Sequence, residues 1–219
     1  KDVSLDALKG ILVTHEHGDH GKGVGMLARK AGVPIYLSAG TYQALLARSI
    51  LKEDDAVHIL SPEKPFKLIG LEVLPIPVPH DARETFQFIV KGHDAYFGLL
   101  TDTGSITPHL IENYAECDFL FLEFNHDIDM LWKGDYPESL KYRVGGNLGH
   151  LSNEQAISFL EEIGTERLKK LVVSHVSEKN NDIDLVNTLI HGILSDASDC
   201  LIYSNQKNGC EWIDTNDYL

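Results

Sequence analysis

The chain has 219 residues, 43% hydrophobic and 24% charged, which is the profile of a single globular domain over 1–219 and is awkwardly short for two. Its 19 Lys and Arg against 33 Asp and Glu leave a net charge of −14. That balance works against a long basic groove for nucleic acid, though not against chemistry on a short phosphodiester segment held at cations. No apolar run approaches the roughly 18 residues of a membrane span. Cys117, Cys200 and Cys210 lack CxxC spacing, which argues against a disulfide framework and for a reducing, cytoplasmic setting. Lys1 opens the chain and its metal-competent run arrives by residue 15, so an N-terminal portion is expected to lie outside it and targeting signals stay open.

Short apolar strands alternate with helical stretches, as in an α/β protein. The first strand, over 11–14, runs straight into His15-Glu16-His17-Gly18-Asp19-His20. Side chains alternate faces along an extended backbone, so His15 and His17 point to one side at the strand's end. The turn at Gly18 then offers Asp19 and His20 to a neighbouring point. Two histidines at alternating spacing also arise on exposed strands, but four metal-competent residues in six at a strand terminus suit a dinuclear site for borderline metals.

A helix over 24–30, a strand over 34–38 and a helix over 41–49 follow. The strand over 72–78 leads into Pro75-Ile76-Pro77-Val78-Pro79, a run whose prolines fix φ and discourage helix, and it delivers His80 at its end. Strands over 86–91 and 95–100 read as a hairpin turning at Lys91-Gly92-His93-Asp94. The second of them finishes on Thr101-Asp102-Thr103-Gly104, where the carboxylate either bridges metals or caps the helix expected over 105–114. A strand over 118–124 precedes a Gly- and aromatic-rich stretch, 125–149, read as one long functional loop. Ser152 with Gln155 forms a capping box opening a helix over 153–163. The strand over 170–174 ends in Ser174-His175, a helix spans 183–194, and strands over 200–203 and 209–213 close the chain. Four strand ends finishing in His or Asp are expected to meet on one rim of a sheet.

This order of motifs, H-E-H-G-D-H, then Pro79-His80-Asp81, then Asp102 in T-D-T-G, then Ser174-His175, resembles the metallo-β-lactamase superfamily. Glu123-Phe124-Asn125-His126-Asp127, Gly149-His150-Leu151-Ser152-Asn153 and the run from Ser174 to Asn181 resemble its YycJ/VicX (WalJ) family. The resemblance implies an αββα sandwich with metals at one edge between two sheets. It implies that His15, His17 and His80 bind one metal, that Asp19, His20 and His175 bind the other, and that Asp102 bridges them. The superfamily's earlier segment, with its first strands and a supporting Asp motif, has no match here, so the first sheet is expected to lack those strands. Gly149-His150 ahead of a capped helix also resembles the catalytic histidine segment of tRNase Z-type nucleases.

The implied activity is hydrolysis of a phosphodiester by a hydroxide held between two divalent ions, Zn, Mn or Fe. The form that the resemblance implies is a 5′-to-3′ exonuclease on single-stranded DNA. Asp19 is expected to orient the attacking hydroxide and His150 to serve the leaving oxygen, with the helix opening near Asn153 favouring an anion. Asn125, His126, Ser177, Asn180 and Asn181 are expected to contact substrate without adding charge; Ser177, Asn180 and Asn181 read equally as a loop that caps the next helix. His58, His93, His109 and His191 read as surface residues. Rival readings are a hydrolase of a thioester or lactone, which needs no acid such as His150, a hydrolase of a cyclic phosphodiester, and a non-catalytic metal-binding module.

Overall fold

The computed structural model describes residues 4–92, 95–194 and 199–214. The chain divides into two compact units, 1–92 and 93–219. After a 3-10 turn (Leu5–Ala7), the first unit builds a parallel sheet from β1 (Ile11–Leu12), β2 (Ile35–Ser38) and β3 (Val57–Leu60), in that order. Its helices are α1 (Gly18–Gly21), α2 (Val24–Ala31) and α3 (Ala39–Ala47). Gly32, at φ +66, ends α2 in the left-handed conformation that glycine adopts without steric cost, and the Ser38 hydroxyl caps α3 by accepting from the Thr41 amide. One buried cluster joins Val24 and Ala28 of α2 and Leu45 of α3 to Val13, Ile35, Leu37 and Leu51.

The unit also holds β4 (Phe66–Leu68), β5 (Leu71–Pro77) and β6 (Phe86–Lys91), antiparallel neighbours in register Val73–Val90 and Pro77–Phe86. Val73, Phe86, Phe88 and Leu60 form a second buried cluster, against which Leu12, Tyr36, Phe66 and Leu68 pack. Helices, parallel strands and antiparallel strands therefore stack as α, β and β layers, each fully buried Leu, Ile or Phe contributing about 1.5–3 kcal/mol. The Phe86 amide bonds the Thr14 carbonyl at 3.0 Å, which fixes the chain just ahead of His15 against the start of β6.

The second unit carries β7 (Tyr96–Leu100), β8 (Phe119–Glu123), β9 (Lys170–Ser174) and β10 (Leu201–Tyr203), parallel and adjacent in that order. Parallel strands end at the same edge, so residues following β7, β8 and β9 gather there. Helices α4 (Pro108–Tyr114) and α8 (Ile183–Ile193) both pack on α7 (Asn153–Ile163). Tyr114 meets Phe159 edge-on at 6.0 Å and its hydroxyl donates to the Leu99 carbonyl. The capping box at Ser152 and Gln155 is present at the start of α7. Among the described residues no helix is long and apolar enough to cross a membrane.

Several expectations are corrected. The stretch 125–149 is not one loop; it contains α5 (Ile128–Lys133) and α6 (Glu138–Val144), tied together where the Lys141 ammonium donates to the Trp132 carbonyl and to Glu138. Strands β3 and β4 were not anticipated, and 209–213 forms no strand, offering only a bridge between Asn205 and Gly209. The helix near 105 starts at Pro108 and is capped by Thr107, so Asp102 is not its cap. His58 is exposed, as expected of a surface residue, though on β3 and stacked on Tyr36 at 4.8 Å, whereas His109 is half-buried, its Nδ1 against Asn113. His191 is exposed on α8, whereas the turn at His93 and Asp94 lies outside the described residues.

Candidate metal centre

In the first unit the end of β1 and the proline-stiffened end of β5 bring three imidazoles together. Ligand atoms of His15, His17 and His80 lie within 4.8 Å of one another. His15 and His80 are buried and His17 is half-buried. His17 Nδ1 and His80 Nε2 stand 3.3 Å apart, a spacing at which either one ring donates to the other or both lone pairs share a cation. Asp81 adds a carboxylate 3.6 Å from His17 and from His80.

Neighbouring polar groups aim these rings. The Thr14 hydroxyl lies 3.0 Å from His15 Nδ1 and 3.2 Å from His20 Nδ1, within reach of both. The His15 and His20 rings tilt against each other with centroids 4.2 Å apart, and exposed Asp19 sits 3.5 Å from His20 Nε2. Buried Glu16, the member of the run not expected to bind metal, accepts from the Arg83 amide at 3.0 Å and so holds the loop that follows His80.

In the second unit, ligand atoms of Asp102, His150 and His175 also lie within 4.8 Å of one another. Asp102 follows β7 and His175 follows β9, and both are in the left-handed region, at φ +51 and +55. Non-glycine residues held there store strain of about 1–3 kcal/mol each and recur at functional sites. Asn125, after β8, braces one of them by donating its side-chain amide to the His175 carbonyl.

Glu123 is the residue that sequence reasoning missed. Fully buried at the end of β8, its Oε1 accepts from the Thr103 and Leu151 amides, and its Oε2 lies 3.2 Å from His150 Nδ1 and 3.1 Å from His175 Nδ1. Burial pushes its carboxyl up, but the hydrogen bonds and charges of His150 and His175 outweigh that and hold it well below the usual range. A carboxylate that takes Nδ1–H from both rings fixes their tautomer and leaves Nε2 as the nitrogen able to face a metal or substrate. His175 Nε2 accordingly lies 3.6 Å from the Asp102 carboxylate. The sequence signal was an acid at the end of the apolar run Phe119-Leu120-Phe121-Leu122, since a buried charge must be partnered.

Close backbone approaches lock this arrangement. A Cβ on Gly104 would strike the backbone of Asn147 and Gly149, and one on Gly149 would strike the carbonyls of Arg143 and Val144. The turn after Asp102 thus lies directly on the loop that presents His150.

The residues expected to contact substrate divide into two groups. Asn125, Ser177, Asn180 and Asn181 line a cavity of ≈ 1020 Å³ that also exposes His150 and His175. Their polar atoms also build the loop: the Ser177 hydroxyl accepts from the Lys179 and Asn180 amides, and the Asn181 side chain exchanges bonds with Asn153 and donates to the Phe124 carbonyl. His126 lines a different, smaller cavity of ≈ 380 Å³ with Trp132 and Ser152, so consecutive residues face two cavities. Burial, with His150 nearby, pushes the His126 imidazole pKa down.

Chemically, three imidazoles in one group and two imidazoles with a carboxylate in the other are donor sets that fit Zn, Fe or Mn. A model of the β-lactamase superfamily domain matches residues 1–175. The class is therefore that of the metallo-β-lactamase fold, and the chain is a metal-dependent hydrolase. Over 197 residues it is 32% identical to exodeoxyribonuclease YycJ of Bacillus anthracis, covering 89% of this chain and 74% of that one. Over 215 residues it is 34% identical to exodeoxyribonuclease WalJ of Streptococcus pneumoniae serotype 2, covering 95% and 79%. The metallo-β-lactamase fold protein YhfI of Bacillus subtilis superposes with a TM-score of 0.66 at 16% identity, over 86% of this chain and 73% of that one. The chain belongs to the YycJ/WalJ-like family of the superfamily.

Proposed function

We propose that this chain is a cytoplasmic 5′-to-3′ exonuclease that hydrolyses single-stranded DNA with two divalent ions, Zn, Mn or Fe, and that 1–219 works as one domain. Its relatives' names as exodeoxyribonucleases support the substrate class. The observation that carries the chemistry is the group Asp102, Glu123, His150 and His175 opening on a largely uncharged polar cavity.

His15, His17 and His80 are assigned to one ion, Asp102 and His175 to another, with Asp19 and His20 continuing the ligand run. The ions, when bound, supply an activated water and neutralise charge on the phosphate oxygens. Glu123 orients His150 by accepting from its Nδ1–H, so that the ring, when doubly protonated, presents the Nε2 proton to the leaving oxygen. Asp19, exposed beside His20, orients the attacking oxygen. Asn125, Ser177, Asn180 and Asn181 give the cavity neutral walls, which suits a chain of net charge −14.

His150→Ala tests the assignment of the acid. Metal content is expected to stay at the wild-type level while cleavage of a DNA oligonucleotide slows by about a hundredfold to ten-thousandfold, the range for a positioned acid. The loss is expected to shrink for bis-p-nitrophenyl phosphate, whose leaving group needs little protonation. Loss of metal would make His150 a ligand beside Asp102 and His175, and equal losses on both substrates would make it a stabiliser of the phosphate.

A further inference from the structure

We propose that the ≈ 1020 Å³ cavity of the second unit is a groove for unpaired nucleobases, in which Tyr136 and Tyr203 are stacking faces and Lys179 receives a phosphate. The proposal rests on the nuclease reading above and names what selects single strands at that site. The volume lies at the top of the range of about 300–1,000 Å³ seen for small-ligand pockets, so the cavity takes more than one nucleotide. His150 and His175 are part of its wall, so a strand seated there is continuous with the reacting phosphate.

The lining states the mode of binding. Its formally charged side chains are Glu178 and Lys179, which cancel, while the rest of the polar wall, Asn180 and Asn205 among it, is neutral. Duplex affinity grows with the number of phosphates met by Lys and Arg, and a single lysine supplies little of it. Base stacking on aromatic rings needs no net charge and accepts any base. Tyr203 is half-buried with its hydroxyl donated to Asn187 Oδ1 at 2.6 Å, which anchors the ring on α8. The Lys179 ammonium lies 5.7 Å from the centroid of the Tyr136 ring. A phosphate drawn to Lys179 would therefore bring its base beside that ring, and both tyrosines stand in the wall of the one cavity, where they would take bases of one strand.

The test is fluorescence anisotropy of a fluorescein-labelled, phosphorothioate-linked oligothymidylate with the purified, metal-loaded chain. Tyr136→Ala and Tyr203→Ala are each expected to weaken binding by about fivefold to a hundredfold, the equivalent of one lost stack. Tyr136→Phe keeps its ring and is expected to bind like wild type, and Tyr203→Phe, which keeps the ring but loses the bond to Asn187, is expected to bind more tightly than Tyr203→Ala, which separates stacking from a general loss of fold. Lys179→Gln is expected to lower the salt slope of binding by about one ion. Alanine variants with wild-type affinity, phenylalanine variants as weak as the alanine ones, or a duplex bound as tightly as the single strand would each overturn the groove. Hydrolysis of bis-p-nitrophenyl phosphate by the wild-type chain is read separately: its absence sinks the nuclease reading, whereas the anisotropy reports on the groove whether or not cleavage occurs.

Discussion

Asp102→Asn is expected to strip metal from the chain and reduce phosphodiester hydrolysis by about a thousandfold or more. The residue is buried and sits at φ +51, within ligand distance of His150 and His175. Asparagine keeps the size of the side chain and tolerates the left-handed backbone, so the fold is preserved while the negative charge is removed. Alanine confounds the two effects, because it adds a left-handed penalty of about 1–2 kcal/mol to the loss of the ligand. Losing about 4 kcal/mol of charge stabilisation corresponds to about a thousandfold in rate. Elemental analysis beside a rate measurement checks this, and an asparagine variant with full metal content and full rate removes Asp102 from the centre.

Glu123→Gln and Glu123→Ala are expected to fail in different ways. Alanine leaves two buried amides and two partly buried imidazole N–H groups without their acceptor, and breaking a charged network around a buried carboxylate of this kind costs about 3–5 kcal/mol. For a chain of 219 residues that is a fall of roughly 6–20 °C in Tm. Glutamine fills the space but turns an NH₂ toward Nδ1 of His150 or His175, forcing that nitrogen to accept and Nε2 to carry the hydrogen. An imidazole protonated at Nε2 does not ligate through it, so metal affinity is expected to drop about ten- to a hundredfold with a smaller loss of stability. Thermal unfolding and metal titration of the two variants separate the effects. Unchanged metal affinity in the glutamine variant would show that Glu123 only supports the fold.

What the sequence revealed was the set of strand ends. An apolar run stopping on His or Asp is visible locally, so His15, His80, Asp102 and His175 were found as ends of strands, and Ser152 with Gln155 was found because a capping box is local as well. Helices α5 and α6 escaped because six or seven residues broken by Gly134 and Pro137 give too short a window for a helical period. Strands β3 and β4 escaped because three or four residues carrying His58 or Lys67 show no clear alternation. Glu123 escaped for a different reason. Its importance lies in being fully buried under four donors that are distant in sequence, and neither burial nor those partners can be read from a neighbourhood of residues. The same limit explains why His126 and Asn125, adjacent and both polar, were expected to act together though they face separate cavities.

The central claim is that divalent ions held by these histidines and carboxylates hydrolyse phosphodiesters in single-stranded DNA. The direct measurement takes one purified sample and follows metal content and cleavage of a 5′-labelled single-stranded oligonucleotide before chelation, after it, and after metal is restored. The account predicts two ions per chain, loss of cleavage when they are removed, and its return with Zn, Mn or Fe. Undiminished cleavage by the metal-free chain, or turnover of a thioester or lactone by a metal-loaded chain that leaves the oligonucleotide intact, would contradict it.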